Sequence, residues 1–183
     1  MNIYRSIPIL AAVLFAAPAA AQVSQIDTLN AHNTERRNYP GVAPLQWSSE
    51  LEQYAQAWAN EIAARDSLDH RESTFDNPVA PGEYVGENLY WAFGTEGTGP
   101  EAVGNWIAEK AWYDYEQDQG LASYYPPGAG CSAPPDQSCG HFTQVIWKDT
   151  QLVGCGRAVA GDGGVYVVCN YYPGGNIRGE KPY

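Results

Sequence analysis

All four cysteines of this 183-residue chain, Cys131, Cys139, Cys155 and Cys169, lie in its last third, and no two of them form a Cys-x-x-Cys pair. In an oxidising compartment such a set pairs into two disulfides that fix the C-terminal part of the fold, whereas their spacings suit no common zinc module. The count alone leaves the pairing open. The compartment is indicated by the N-terminus. Arg5, the apolar run Ile7 to Phe15 and the small residues Ala19-Ala20-Ala21 read as a secretory signal peptide over residues 1–21, cleaved before Gln22 and leaving a domain over 22–183. The run is too short for the ~20 apolar residues of a membrane-spanning helix, and Pro8 and Pro18 interrupt it, so no transmembrane segment is expected. The expected location is extracellular or periplasmic.

About 160 residues remain after cleavage, the size of one domain with a real core. Of the 10 basic residues only Arg5 lies in the leader, so the remainder sets 9 Lys and Arg against 21 Asp and Glu, a formal charge of −12. That balance argues against nucleic acid or an anionic lipid surface as partner. The acidic groups are scattered rather than blocked, which reads as solubility.

Val23, Ile26, Leu29 and Asn33 recur at helical spacing until Asn38-Tyr39-Pro40-Gly41 breaks the pattern. A second helix is marked by Ser49 and Glu52 as a capping box, with Leu51, Tyr54, Ala55, Trp58 and Ile62 on one face. Residues 66–100 are too long for a structureless connection and are expected to hold a site or short strands. A third helix opens at Gly99-Pro100-Glu101, where Pro suits the first helical position and Glu the positive end of the dipole. Its apolar stripe of Ala102, Val103, Trp106, Ile107 and Tyr113 carries Glu109 on the same side. Three strand-like runs follow, Phe142 to Trp147, Leu152 to Val159 and Val165 to Tyr171, the last two joined by the turn Ala160-Gly161-Asp162-Gly163-Gly164. Helices early and strands late predict an α+β domain with a small antiparallel sheet covered by helices.

Histidine is scarce: His32, His70 and His141 are the whole set. His70 lies in polar, irregular chain and His141 follows Cys139-Gly140, while Glu87 sits between Gly86 and Asn88. The text around these residues is more specific than their spacing. Gly86-Glu87-Asn88-Leu89, Ala102-Val103-x-x-Trp106-x-x-Glu109 with Tyr113-Asp114-Tyr115, Gly140-His141-Phe142-Thr143-Gln144-Val145-Ile146-Trp147, Val153-Gly154-Cys155-Gly156 and Val168-Cys169-Asn170-Tyr171-Tyr172-Pro173-Gly174-Gly175-Asn176 occur in that order. Together with His32-Asn33-x-x-Arg36 and Leu45-x-Trp47, they closely resemble the signatures of the cysteine-rich secretory, antigen 5 and pathogenesis-related (CAP, or SCP-domain) superfamily, over about residues 26–183.

The resemblance implies an α-β-α sandwich whose central cleft is lined by two His and two Glu, here His70, Glu87, Glu109 and His141. Both histidines are then a metal-binding pair, and the carboxylates reach the ion directly or through water. Imidazole and carboxylate suit zinc or another divalent metal. His32, in the helix-one motif, is read as structural. The resemblance also implies the pairing Cys131–Cys139 and Cys155–Cys169, each bridge contributing about 2–4 kcal/mol. A third family bridge is missing, since it would need cysteines near Asp66 and at Ala160.

Two functions compete. A zinc-dependent hydrolase or protease would use metal-bound water with Glu87 or Glu109 as base. Against it, there is no His-Glu-x-x-His and no Gly-x-Ser-x-Gly, and Ser123, Ser132 and Ser138 lie in polar, irregular chain. The other reading is an extracellular binding module for a lipid or sterol, the ligand class suggested by the resemblance, with 6 Trp and 13 Tyr to supply contact area. Among these, Trp91, Trp106, Trp112 and Trp147 read first as core residues. The binding module is preferred, and with it a protein that is not an enzyme. A surface role, with the His/Glu set as a relic, would be favoured by exposed aromatics near residues 88–100.

Overall fold

The computed structural model describes residues 22–72, 75–121 and 129–183. The signal-peptide reading of 1–21 and Ser123 fall outside these residues. In chain order the elements are α1 (Gln25–Arg36), β1 (Gln46–Trp47), α2 (Ser49–Arg65), β2 (Gly86–Ala92), α3 (Gly99–Ala108), α4 (Gly140–Val145), β3 (Leu152–Val159) and β4 (Val165–Tyr172). Among the described residues no helix is long and apolar enough to cross a membrane.

The strands form one sheet in the order β1-β3-β4-β2. β4 pairs antiparallel with both β3 and β2, and the two residues of β1 add to β3 in parallel, so the expected antiparallel sheet carries a short parallel edge. Helices cover both faces, and each face has its own core. On one, Ala55, Ala59 and Ile62 of α2 pack on Leu89, Ala158, Tyr166 and Val168. A Cβ at Gly154 would collide with the backbone of Leu51 and Glu52, and one at Gly156 with that of Gln56. These two glycines let α2 lie directly on β3. On the other face Trp106 of α3 and Phe142 and Val145 of α4 meet Val153, Cys155, Val167, Cys169 and Tyr171. The result is the expected α-β-α sandwich.

Both implied disulfides are present. Cys155 and Cys169 are cross-strand partners between β3 and β4. Cys131 is bonded to Cys139, the residue that caps α4, and pairs in an isolated bridge with Tyr113 just beyond α3. The chain leaving α3 is thereby returned to the start of α4.

Two local expectations are corrected. The run Phe142–Trp147 is not a strand: residues 140–145 are helical, and Phe142, Val145 and Ile146 are all buried against the core. Their i, i+3, i+4 spacing is a helical face, masked in the sequence by aromatic and β-branched composition. The cap of α2 is Ser48, whose hydroxyl accepts from Leu51 N, not Ser49. Glu52 instead accepts from the Trp47 indole and from Gln25. The reciprocal capping box belongs to α3, between Thr98 and Glu101.

Arg36, at the end of α1, is completely buried and faces carbonyls alone. Its Nε donates to Ala43 O (2.7 Å), Nη1 to Val145 O and Trp147 O (both 2.9 Å), and Nη2 to Thr150 O (2.9 Å). A planar fork with five donors can satisfy four carbonyls fixed in different directions; an ammonium on a flexible stem cannot. Arg36→Ala leaves those buried carbonyls unpaired and is expected to cost about 3–5 kcal/mol in urea unfolding. Arg36→Lys should recover less than half of that loss, and full recovery would show that charge alone, not the fork, holds these carbonyls.

Candidate functional site

β2 is the edge strand next to β4, and its first residues organise the site. Successive side chains point to opposite faces of the sheet, so Glu87 and Asn88 look in opposite directions. Glu87 turns to the α2 side. Its Oε1 lies 2.9 Å from His70 Nδ1 and accepts from Arg71 N (3.1 Å), while Oε2 accepts from Asn170 Nδ2 (3.3 Å). Arg71 is locked beside it, with its guanidinium 3.8 Å above the centre of the Tyr54 ring and Nη2 donating to Tyr54 O. A groove of about 470 Å³ opens here, lined by Trp58, Glu61, Arg65, His70 and Arg71.

On the opposite face Glu109 serves α4. It lies in the single 3-10 turn that follows α3, and only 8% of its surface is exposed. Oε1 is 2.6 Å from His141 Nδ1, and Oε2 accepts from the backbone N–H groups of His141 (2.9 Å) and Phe142 (3.1 Å). Cys139 offers α4 no side-chain cap, so this carboxylate from another helix caps it and places negative charge at the positive end of its dipole. The Trp106 ring lies nearly parallel to His141, with centroids 6.2 Å apart.

The four residues singled out from the sequence are thus assembled as two His–Glu pairs, one from each face. They do not form one compact cluster: among the described residues no group of three or more His, Cys, Asp and Glu could by itself hold a metal ion. In both pairs the carboxylate engages Nδ1, and neither Nε2 has a hydrogen-bond partner among the described residues. The side chain of His70 is 62% exposed and that of His141 31%. This is the arrangement in which a carboxylate fixes a ring so that its second nitrogen faces a ligand. Imidazole nitrogen backed by a carboxylate is donor chemistry that suits a divalent ion. The oxygens of Glu87 and Glu109 are engaged by ring, amide and backbone N–H groups.

His32 belongs to neither pair. It is fully buried in α1, with Nδ1 2.8 Å from Thr28 O and Nε2 2.9 Å from the Tyr171 hydroxyl. Desolvation pushes its pKa down to about 4, aided by the charge of Arg36 and opposed by the bond to Thr28. Of the tryptophans, Trp106 and Trp147 are core, while Trp91 is 46% exposed. Phe93, 63% exposed, lies against Gly163 in the β3–β4 turn, and Trp91 against Gly164. The sequence alone assigns no role to Arg71 or Asn170. Asn170 lies in the Val168–Asn176 motif, and its position opposite Glu87 emerges only from strand register.

A family model for the cysteine-rich secretory protein family matches residues 29–171, and the chain belongs to that family. It is 40% identical over 163 residues, 89% of this chain and 83% of the relative, to pathogenesis-related protein 1A of Nicotiana tabacum. It is 36% identical to pathogenesis-related protein PRMS of Zea mays, over 96% of this chain and 92% of the relative. The structure of BmVAL-1 superposes with a TM-score of 0.65 at 25% identity, covering 87% of this chain and 81% of that one. That of NaASP2 with Zn2+ gives 0.63 at 22% identity, over 88% and 86%, a likeness of fold. Kinship with secretory proteins of the pathogenesis-related class makes this an extracellular protein.

Two consequences are measurable. Unfolded His32 takes up a proton below about pH 6.5, the folded protein only near pH 4. Its contribution to stability is therefore intact above pH 6.5 and is lost as pH falls through that window, by about 3 kcal/mol in all. The native protein should lose more stability between pH 7 and pH 4 than His32→Gln, measured by urea midpoints, and parallel curves would contradict the assignment. Glu109→Gln removes the charge that caps α4 and should cost about 1–2 kcal/mol in the same assay.

Proposed function

We propose that this protein is an extracellular ligand-binding module in which His70 and His141 offer their Nε2 atoms to one divalent metal ion, zinc foremost, at the edge of β2. The observation that carries this reading is that both histidines present the same nitrogen after engaging a carboxylate with the other. A bound metal would supply a Lewis-acidic point for a ligand oxygen. Two protein ligands leave several coordination positions to water or ligand, which suits reversible binding better than a closed structural site. The presence of Zn2+ with the similarly folded NaASP2 is in keeping with this assignment.

The ligand we propose is a lipid or sterol. The exposed rings of Trp91 and Phe93 offer apolar contact surface for it, and Val159, 44% exposed, adds to the same end of the sheet. We favour binding over zinc-dependent hydrolysis. Both carboxylates that would serve as base are tied to histidine and backbone donors, and the Ser132 and Ser138 hydroxyls engage the backbone of Trp112 and Gly140 rather than a histidine.

A ligand bound only by the folded state stabilises it, by about 2.7 kcal/mol at a hundred times its Kd. Zinc is expected to raise the Tm of the native protein by several degrees and to leave a His70→Ala, His141→Ala double variant unmoved; equal shifts would end the metal assignment. Organic extraction of the purified protein followed by mass spectrometry should recover a stoichiometric lipid or sterol. A lipid-free protein that cleaved peptides only with zinc and Glu109 would favour the hydrolase.

A further inference from the structure

The third histidine is not independent of the site. His32 Nδ1 faces the carbonyl of Thr28, which can only accept, so Nδ1 carries the proton and Nε2 is the acceptor. Burial keeps the ring neutral, and therefore in this one tautomer, at physiological pH. The Tyr171 hydroxyl, 2.9 Å away, must then donate to Nε2. Its own oxygen is left to accept, and the donor is Asn88 Nδ2 at 3.3 Å. The orientation of the Asn88 amide is fixed in turn, because the same Nδ2 donates to the backbone carbonyl of His141 (3.1 Å). All three side chains have 1% or less of their surface exposed.

The groups come from three elements. His32 is on α1, Tyr171 on β4 and Asn88 on β2, and the chain of bonds ends on the first turn of α4. Each donor has one acceptor choice consistent with its neighbours, so the direction of every bond is dictated by the next. In a site without bulk water a misdirected link leaves a polar group unpaired, at a cost of about 1–3 kcal/mol. Glu109 holds the His141 ring and its N–H from one side, and Asn88 holds its carbonyl from the other. The residue is gripped at ring, nitrogen and oxygen.

We infer that His32, Tyr171 and Asn88 are positioning residues for His141, a buried relay that fixes the direction in which its Nε2 points. The inference rests on the reading of His141 as a ligand-holding group for its purpose, but the geometric claim can be tested without any metal. Among the described residues His70 makes no hydrogen bond to His32, Tyr171 or Asn88, which makes it an internal control.

The test is long-range nitrogen–proton NMR of the imidazole rings in the metal-free, disulfide-bonded protein, comparing native, Tyr171→Phe and His32→Gln. Tyr171→Phe keeps the buried ring and deletes the hydroxyl that joins His32 to Asn88. The expected result is a displaced or broadened His141 ring signal with the His70 signal unchanged. His32→Gln breaks the relay at its far end and should move the same signal by less; it also serves if Tyr171→Phe does not fold. A His141 signal unchanged in the folded variants overturns the inference, as does an equal change at His70, which would mean general loosening. Zinc titration of the same samples separates the two readings. Native protein that ignores zinc defeats the metal assignment while the ring signals still decide the relay. Where native protein binds, the relay predicts at least a fivefold weaker Kd for Tyr171→Phe, and an unaltered Kd would refute its role in positioning.

Discussion

The short helix α4 is held at both ends by charges borrowed from other helices, and the arrangement of the site depends on it. Six residues are too few for a helix to persist on its own propensity, since nucleation is costly and a short helix gains few bonds in return. Glu109 supplies negative charge to its first N–H groups, and Arg36 takes up carbonyls at its last turn and just beyond. Both charges match the sign of the dipole they meet. Arg36 is satisfied by backbone carbonyls, and Glu109 by two backbone N–H groups together with the His141 ring, so that removing either would strip hydrogen bonds from several residues at once.

This clamp ties the candidate site to parts of the fold that look remote from it. His141 stands in the first turn of α4 and inherits its position from α1 through Arg36 and from the end of α3 through Glu109. The other pair, His70 with Glu87, is anchored by Arg71 and Asn170 on the opposite face of the sheet. β2 brings the two faces together because adjacent residues on one strand look opposite ways: Glu87 serves one histidine and Asn88 the other. An edge strand suits this role, because both of its faces and one margin are within reach of chain that is not sheet.

Much of this was legible from the sequence, and the failures have physical causes. α1, α2, α3 and the β3–β4 hairpin follow from periodicity and turn residues, and the disulfide pairs from the family resemblance. Phe142, Val145 and Ile146 favour a strand locally, while the groups that make α4 helical lie more than 30 positions away in Glu109 and over 100 away in Arg36. The same distance hid the function of Arg36 and His32, whose motif was visible although their partners were not. The four candidate residues stand out by the motifs around them. Their division into two pairs, with the carboxylates set behind the rings, needed strand register and side-chain geometry that no spacing encodes.

The bridge from Cys131 to Cys139 has a further bearing on how α4 is anchored. One end is stitched to Tyr113 beside α3 and the other is the residue on which α4 begins. Asp114 N donates to the carbonyl of Gly130 and Ser132 N to that of Trp112, so the chain leaving α3 is laced to the chain entering the bridge before α4 begins. The start of α4, and His141 with it, is therefore fastened covalently to backbone that is itself pinned beside α3.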